Sequence, residues 1–463
     1  MATTSRRLMA RTRRLDPADP RHDRPLLDLL PGGESLSWVR EGEGLVGWGC
    51  AARLDTSGAA RFADADSWWR RLCGHIDVDD AVGLPGCGPV AFASLAFADQ
   101  PGDSVVVLPE VVVGERDGVR WITTVGDPDS APTTGSDAAE LAREPLRQPG
   151  TVSYSDGWLS ATGYRQAVAE AVRRMRSSGD ELRKIVLAHD LLANTSEPLD
   201  ERFLLHNLAA RYDNCWTFAV DGLVGATPEL LLERRGYEVR SRVLAGTAWP
   251  HPGRTDDEIA AELLSSEKNR SEHSYAAESL AEALRPFCSE LSVPSAPSVL
   301  RLRNVLHLAT DVEGKLADTP TRSGSPDLPG VPDGSGLLTM VEAVHPTAAV
   351  GGTPTADAIP AIAELEGMDR GRYAGPVGWI DGAGNGELGI ALRCGQIEQQ
   401  STAGGVSGGA RSAPGVRGGP GVRGGRVRLF AGGGIVPDSD PDLEVAEAEA
   451  KLLPVREALE GVL

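Results

Sequence analysis

Through residues 1–150, short apolar runs alternate with Gly, Pro and Asp breaks: LVGWGCAARL (45–54), PVAFASLAF (89–97), SVVVL (104–108) and VRWITTV (119–125). Runs of that length between breakers predict strands joined by turns. The greasiest stretch, SVVVLPEVVV (104–113), contains Pro109 and Glu110. It predicts one or two strands rather than a membrane span, which needs about 20 apolar residues. From Gly126 to Gly150 the chain is rich in Pro, Asp, Ser and Thr, and a linker is expected there.

From Ser160 the period changes. Tyr164, Val168, Val172 and Met175 recur at helical spacing, and Gly179 ends the helix. KIVLA (184–188) follows as a strand. Its alternation puts Lys184, Val186 and Ala188 on one face and Ile185 and Leu187 on the other. Thr255 with Glu258 forms a capping box, and the helical pattern after it continues to about Leu284. A last helix starts near Leu443 and runs to the C-terminus. Between these helices, strands are expected in VLRLRNVLHLATDV, YAGPVGWID, GELGIALRCGQI and RVRLFAGGGIV. Strands and helices mix without strict βαβ alternation, which predicts an α+β fold with large, mainly antiparallel sheets flanked by helices. Two segments read as insertions: SGSPDLPGVPDGSG (323–336) and the glycine-rich stretch 403–425, which holds PGVRGG twice in tandem. Strand patterns flank the second, so it reads as the expanded loop of a hairpin.

Composition narrows the function classes. Sixty-six Asp and Glu against 46 Lys and Arg give the 463 residues a formal charge of −20. Phosphate repels such a surface, so a nucleic-acid partner is not expected. The few arginines of 403–425 lack interleaved aromatics, which argues against RNA binding there too. With 41% hydrophobic residues a sizeable core can form. The first residues, MATTSRRLMARTRRLDP, carry arginines but no apolar h-region and read as a basic arm, not a secretory signal. Six scattered cysteines form no CxxC pair and no Cys/His cluster, as in a reducing cytoplasm. A cytoplasmic monomer without a membrane partner is expected.

Neither GxxxxGK[ST] nor HExxH occurs, so phosphate-loop and zincin chemistry lose support. DSDPDLE (438–444) has the alternating acids of a calcium loop, but Leu443 stands where an EF-hand needs Gly. What remains is a set of charged residues in apolar or glycine-rich context. Glu444, Glu447 and Lys451 share one helix face at i, i+3 and i+7. They form either a solvated face with an internal salt bridge or part of a cation site. Glu272 lies mid-helix and is either another surface acid or a further oxygen donor; Mg²⁺ takes one or two carboxylates and keeps its waters. Lys184 opens an apolar strand, where a lysine either snorkels or, taken out of water, becomes a base. Glu229 follows Pro228 at the mouth of an apolar strand, where a carboxyl held out of water keeps its proton and can act as an acid. Gly432, Gly433 and Gly434 make either a plain turn or bare N–H groups for a carboxylate.

Taken together and in order, these segments resemble the chorismate-utilising enzyme family, which includes isochorismate, salicylate, anthranilate and aminodeoxychorismate synthases. The resemblance rests on KIVLAHD (184–190), GATPELLLERRG (225–236), LAGTAWP (244–250) and SEKNRSEHSYAAESL (266–280). It continues through LRNVLHLATDVEG (302–314), AVHPTAAVGGTP (343–354), MDRGRYAGPVGWIDGAGNGELGIALRCGQI (368–397) and FAGGGIVPDSDPDLEVAEAEAKL (430–452). It covers roughly 155–460 and implies the anthranilate synthase component I-like fold. The implied division is a variable N-terminal portion, 1–150, packing onto the same fold, and a chorismate-binding catalytic domain, 151–463.

Ammonia-using members resemble one another in carrying glutamine where this chain has Lys184; members that add water carry lysine as general base. Aminodeoxychorismate synthases tend to carry lysine where Ala245 stands. Both features imply water addition. The resemblance implies that chorismate binds with its ring carboxylate on Mg²⁺, held by Glu272 and Glu447 with Glu444 beside them. Lys184 then activates water for attack at C2, and Glu229 protonates the departing C4 hydroxyl. Tyr373 and Arg393 match residues that hold the enolpyruvyl carboxylate. Gly246, Thr247, Gly432 and Lys451 match the ring-carboxylate region, and His345 matches a histidine near the ring or is structural. Isochorismate synthase, serving menaquinone or siderophore synthesis, is the implied activity. Salicylate synthase, which goes on to eliminate pyruvate in the same pocket, is the alternative. Three departures stand out: His189 replaces a usual arginine, Asn269 stands where an acid is common, removing one negative group near the metal, and the two inserted loops lengthen the spacing between motifs without interrupting any.

Overall fold

The alternation of KIVLA extends further than five residues. In a computed structural model, which describes residues 7–128, 145–178, 182–317, 336–398 and 424–461, Lys184–Thr195 is one strand. It pairs antiparallel with Arg426–Ile435 along nearly its whole length, placing Val186 opposite Gly434 and Ala188 opposite Gly432. Among the described residues these two strands lie near one end of a 13-stranded sheet, and a second sheet has ten strands. All pairings are antiparallel among the described residues except that of Leu8–Arg14 with Ile76–Asp80. The architecture is thus α+β with large antiparallel sheets, as the mixed pattern predicts.

Strands from the first 150 residues are built into both sheets. Leu36–Arg40 pairs with Trp216–Val220, setting Trp38 opposite Phe218, and Val90–Ser94 pairs with Pro376–Asp381, setting Phe92 opposite Trp379. All four rings are buried. Each aromatic ring removes a large apolar area from water, so this layer between the sheets contributes much of the stability. The indole N–H of Trp38 in one sheet donates to Glu387 in the other at 3.0 Å.

SVVVLPEVVV resolves into two strands, Ser104–Leu108 and Val111–Arg116, which belong to different sheets. Pro109 sits at the corner, where a missing N–H costs no ladder bond. VLRLRNVLHLATDV likewise divides into Ser298–Leu302 and Val305–Leu316, and GELGIALRCGQI into Gly386–Ile390 and Cys394–Glu398.

One expectation needs correction. The helical run from Thr255 is two helices, Asp256–Ser265 and Glu267–Leu284. Ser266 breaks it with extended backbone, and its side chain accepts from Asn269 N, capping the second helix. The capping box of Thr255 and Glu258 is present. The helix Ala161–Ser178 forms; Gly179 lies outside the described residues. The last helix, Pro441–Glu460, begins two residues before Leu443 because Asp440 accepts from the N–H groups of Asp442 and Leu443.

Most of the expected linker (129–144) and of the inserted segments (318–335 and 399–423) also lie outside the described residues. The strands flanking the glycine-rich insertion pair with Glu398 opposite Arg426, so that insertion leaves and returns at one point of the sheet. Among the described residues no helix is long and apolar enough to cross a membrane.

Candidate active site

Two strands make the floor of a cavity that opens to solvent, lined by apolar and polar side chains together. Val186 and Ala188 face it from one strand, and Phe430 through Gly434 from the other. Lys184, on the same strand face as Val186, is fully buried beneath it. The glycines are required by crowding. A Cβ on Gly432 would lie 2.1 Å from the Leu187 carbonyl oxygen. On Gly434 it would lie 2.5 Å from Glu272 Oε1 and 3.0 Å from Lys184 Cε. Glycine at 434 thus makes room for a lysine–carboxylate contact. Lys184 Nζ lies 3.1 Å from Glu272 Oε1, an ion pair without hydrogen-bond alignment.

The opposite wall is made where the chain crosses between sheets. Leu223–Thr227 belongs to the large sheet and Leu230–Arg235 to the smaller, so Pro228 and Glu229 bridge them. Glu229 is buried, and its carboxyl accepts a long hydrogen bond from Leu244 N at 3.5 Å. Burial pushes its carboxyl up to about 8, against the opposing pull of the Leu244 N–H and of Lys184, Lys451 and Arg393. At neutral pH it therefore carries a proton.

A second crossing, between Gly386–Ile390 and Cys394–Glu398, carries Arg393 in a left-handed conformation, φ 47°. Its Nη2 donates to His307 Nε2 at 2.9 Å, while Nη1 is buried without a partner among the described residues. Burial and the Arg393 charge hold His307 far below its usual range, so the ring is neutral and Nε2 is the acceptor. Its Nδ1 faces Thr247 Oγ1 and the Gly246 carbonyl, both at 3.4 Å. Tyr373 stacks on Phe430, with centroids 4.9 Å apart and planes within 7°. A guanidinium with an unpaired buried N–H beside a buried phenol and a neutral imidazole suits a planar carboxylate.

The acids gather on the third side. Glu444 and Glu447 approach Gly433, a Cβ on which would lie 3.3 Å from Glu444 Oε2 and 3.5 Å from Glu447 Oε1. Lys451 Nζ donates to Glu447 Oε1 at 2.7 Å and to the Gly432 carbonyl at 3.0 Å. Lys268 Nζ lies 3.9 Å from Glu444 Oε1. Burial, then the neighbouring Glu447, push Glu444 up to about 7. Each of the three carboxylates thus faces a lysine. Among the described residues no group of three or more His, Cys, Asp or Glu side chains is gathered closely enough to hold one metal ion. Glu272, Glu444 and Glu447 do not close into a triad as they stand, because each is drawn to its own lysine. The donor chemistry nevertheless fits a hard divalent cation: oxygen ligands, with one carboxyl kept partly protonated by burial and a like-charged neighbour.

The cavity therefore brings together Glu229, Gly246, Thr247, Glu272, Tyr373, Arg393, Gly432, Glu447 and Lys451, with Lys184 beneath it and Glu444 beside Gly433. His345 does not join them. Its Nε2 donates to the Phe97 carbonyl at 3.0 Å, its ring packs among Phe62 and Phe97, and burial pulls it down to about 4. It braces the N-terminal strands; the cavity's histidine is His307. The signal for His307 lay in the alternation of LHLAT, which turns it away from the face of Leu306 and Leu308. His189 packs on Tyr164 at 5.0 Å and does not line the cavity. Asn269 also acts at the rim, where Oδ1 accepts from Thr247 N at 3.3 Å. Arg370, which sequence reasoning did not single out, lines the cavity too.

Residues 3–460 match the family model described as chorismate binding enzyme. The chain is 31% identical to the salicylate biosynthesis isochorismate synthase of Pseudomonas aeruginosa, over 98% of this chain and 90% of that one. It is 33% identical to isochorismate synthase MenF of Bacillus subtilis, over 90% of this chain and 85% of that one. The fold is similar to that of the menaquinone-specific isochorismate synthase of Escherichia coli, at TM-score 0.70 and 23% identity, over 98% of this chain and 94% of that one.

Proposed function

The chain belongs to the chorismate-binding enzyme family, and on that premise we propose that it is an isochorismate synthase, adding water at C2 of chorismate as the C4 hydroxyl leaves. The observation that carries the reading is Glu229: a carboxyl still protonated at neutral pH, facing a cavity under which an amine, Lys184, is buried. Water, unlike ammonia, needs a base to take its proton, and a departing hydroxyl needs an acid. Lys184, when uncharged, removes the proton from water, and Glu229 delivers one to the C4 oxygen, which leaves as water while the ring double bonds shift.

The remaining residues bind and orient. Arg393, its fork fixed by His307, offers its unpaired Nη1–H to the enolpyruvyl carboxylate, with Tyr373 beside it. Gly246, Thr247, Lys451 and the backbone at Gly432 line the place of the ring carboxylate. Glu272, Glu444 and Glu447 would hold Mg²⁺, which would supply a hard Lewis acid to neutralise and anchor that carboxylate. The enzyme would act in the cytoplasm as a monomer, and its product would serve menaquinone or siderophore synthesis.

Incubation with chorismate and Mg²⁺ tests the reading. Isochorismate should accumulate without release of pyruvate, followed by coupling to lactate dehydrogenase. Stoichiometric pyruvate without an added lyase would assign salicylate synthesis instead, and unchanged chorismate would reject both.

A further inference from the structure

The strand that begins at Lys184 is bonded along one side to Arg426–Ile435, but its other edge is incomplete. Gly352–Thr353 pairs with it at Lys184 and Ile185, Val186 N adds one bond to the Gly351 carbonyl at 2.8 Å, and Val152–Asp156 pairs only from Leu191 to Thr195. Between those points a buried ion pair stands in for a strand. Ala188 N donates to Glu366 Oε1 at 2.7 Å, and Arg370 Nη2 donates to the Val186 carbonyl at 2.7 Å. Arg370 also donates to the Val350 carbonyl at 3.1 Å and, through Nε, to Glu366 Oε2 at 2.9 Å. Its guanidinium lies over the Phe97 ring, 4.2 Å from the centroid. Both side chains are almost wholly buried.

The placement couples two parts of the cavity. Val186 and Ala188 are floor residues on the strand face of Lys184, while Arg370 begins the turn in which Tyr373 N donates to the Arg370 carbonyl at 3.1 Å. A buried ion pair contributes little net stability over apolar replacements, but its hydrogen-bond geometry fixes one arrangement of what it touches. We propose that the Glu366–Arg370 pair is a positioning device that holds the Lys184 strand in register with the Tyr373 loop, keeping base and carboxylate-binding group at a fixed separation. The inference rests on the isochorismate synthase reading for its kinetic consequence only.

Arg370→Lys tests it. Lysine keeps the charge but cannot reach two carbonyls and both Glu366 oxygens at once. In the full-length protein, kcat should fall about 100-fold, as a misplacement near 1 Å costs, with KM within about threefold. Amide exchange at Ala188 should accelerate. Unchanged kcat with unchanged Ala188 protection in the folded variant overturns the proposal. If the parent protein converts no chorismate, the functional reading fails separately, and Ala188 protection in the variant still decides the clamp. Should Arg370→Lys not fold, the double variant Glu366→Met with Arg370→Met removes both charges together. A folded double variant with parental kcat overturns the proposal, and a loss of about 100-fold supports it. Failure of both to fold assigns the pair to stability alone and also overturns it.

Discussion

Arg393 and His307 form a 2.9 Å hydrogen bond in which the neutral imidazole accepts through Nε2 and leaves Nη1 of the guanidinium buried and unpaired. A buried donor without a partner is costly, so the site gains when a ligand oxygen satisfies it. Arg393→Lys keeps the charge but cannot bond His307 and a carboxylate in parallel. At about 1.5–3 kcal/mol per hydrogen bond to a charged group, KM for chorismate should rise about 10-fold to 100-fold. Steady-state kinetics, with circular dichroism to verify folding, read this directly.

The protonation of Glu229 sets an alkaline limit. Its folded-state value, about 8, lies above the ordinary carboxyl range, so the acid form persists through neutrality and is lost as pH rises through about 8. The rate of chorismate conversion should fall above that pH. Glu229→Gln should bind chorismate but turn it over at least about 100-fold more slowly at every pH, since the amide has no proton to give. A variant that kept an alkaline limb near 8 with parental rates would remove Glu229 from the acid role.

Lys184→Gln separates base from binding. Glutamine cannot take a proton from water, so turnover should fall by about 10²-fold to 10⁴-fold. Calorimetry should still detect Mg²⁺ and chorismate binding, because the glutamine amide can still donate to Glu272, which Lys184 Nζ meets at 3.1 Å, and Arg393, Glu444 and Glu447 keep their own partners. Turnover retained in that variant would exclude lysine as the base.

These residues were unequally legible in the sequence. Alternation in KIVLA placed Lys184 on the face of Val186 and Ala188, and helical spacing placed Glu444, Glu447 and Lys451 on one face; both are local patterns that backbone geometry dictates. The break at Ser266 was hidden because residues 265–274 are all polar and hold no apolar position to mark a change of period, and a side-chain cap divides the helices. His345 and His307 each sit in a motif of mixed polarity. Which one reaches the cavity depends on the packing of Phe62 and Phe97 from the N-terminal portion, which no local spacing encodes. The Glu366–Arg370 clamp joins segments nearly 180 residues apart, so only the folded chain brings it to light.

The consecutive glycines permit a contrast between fold and site. A Cβ at Gly432 would meet backbone, the Leu187 carbonyl oxygen at 2.1 Å, and neither strand can yield without breaking the ladder between them. Gly432→Ala should therefore destabilise the protein by about 1–3 kcal/mol, the usual cost of overpacking, visible as a lower unfolding midpoint in urea. At Gly434 the obstacles are side-chain ends, Glu272 Oε1 at 2.5 Å and Lys184 Cε at 3.0 Å, which can swing aside. Gly434→Ala should unfold close to the parental midpoint yet bind Mg²⁺ about tenfold more weakly, since displacing a group that orients a metal ligand costs about 10-fold to 100-fold. Titration calorimetry with Mg²⁺ alone measures that loss independently of turnover. Equal metal affinity in the two glycine variants would show that Glu272 does not act on the metal from its place beside Gly434.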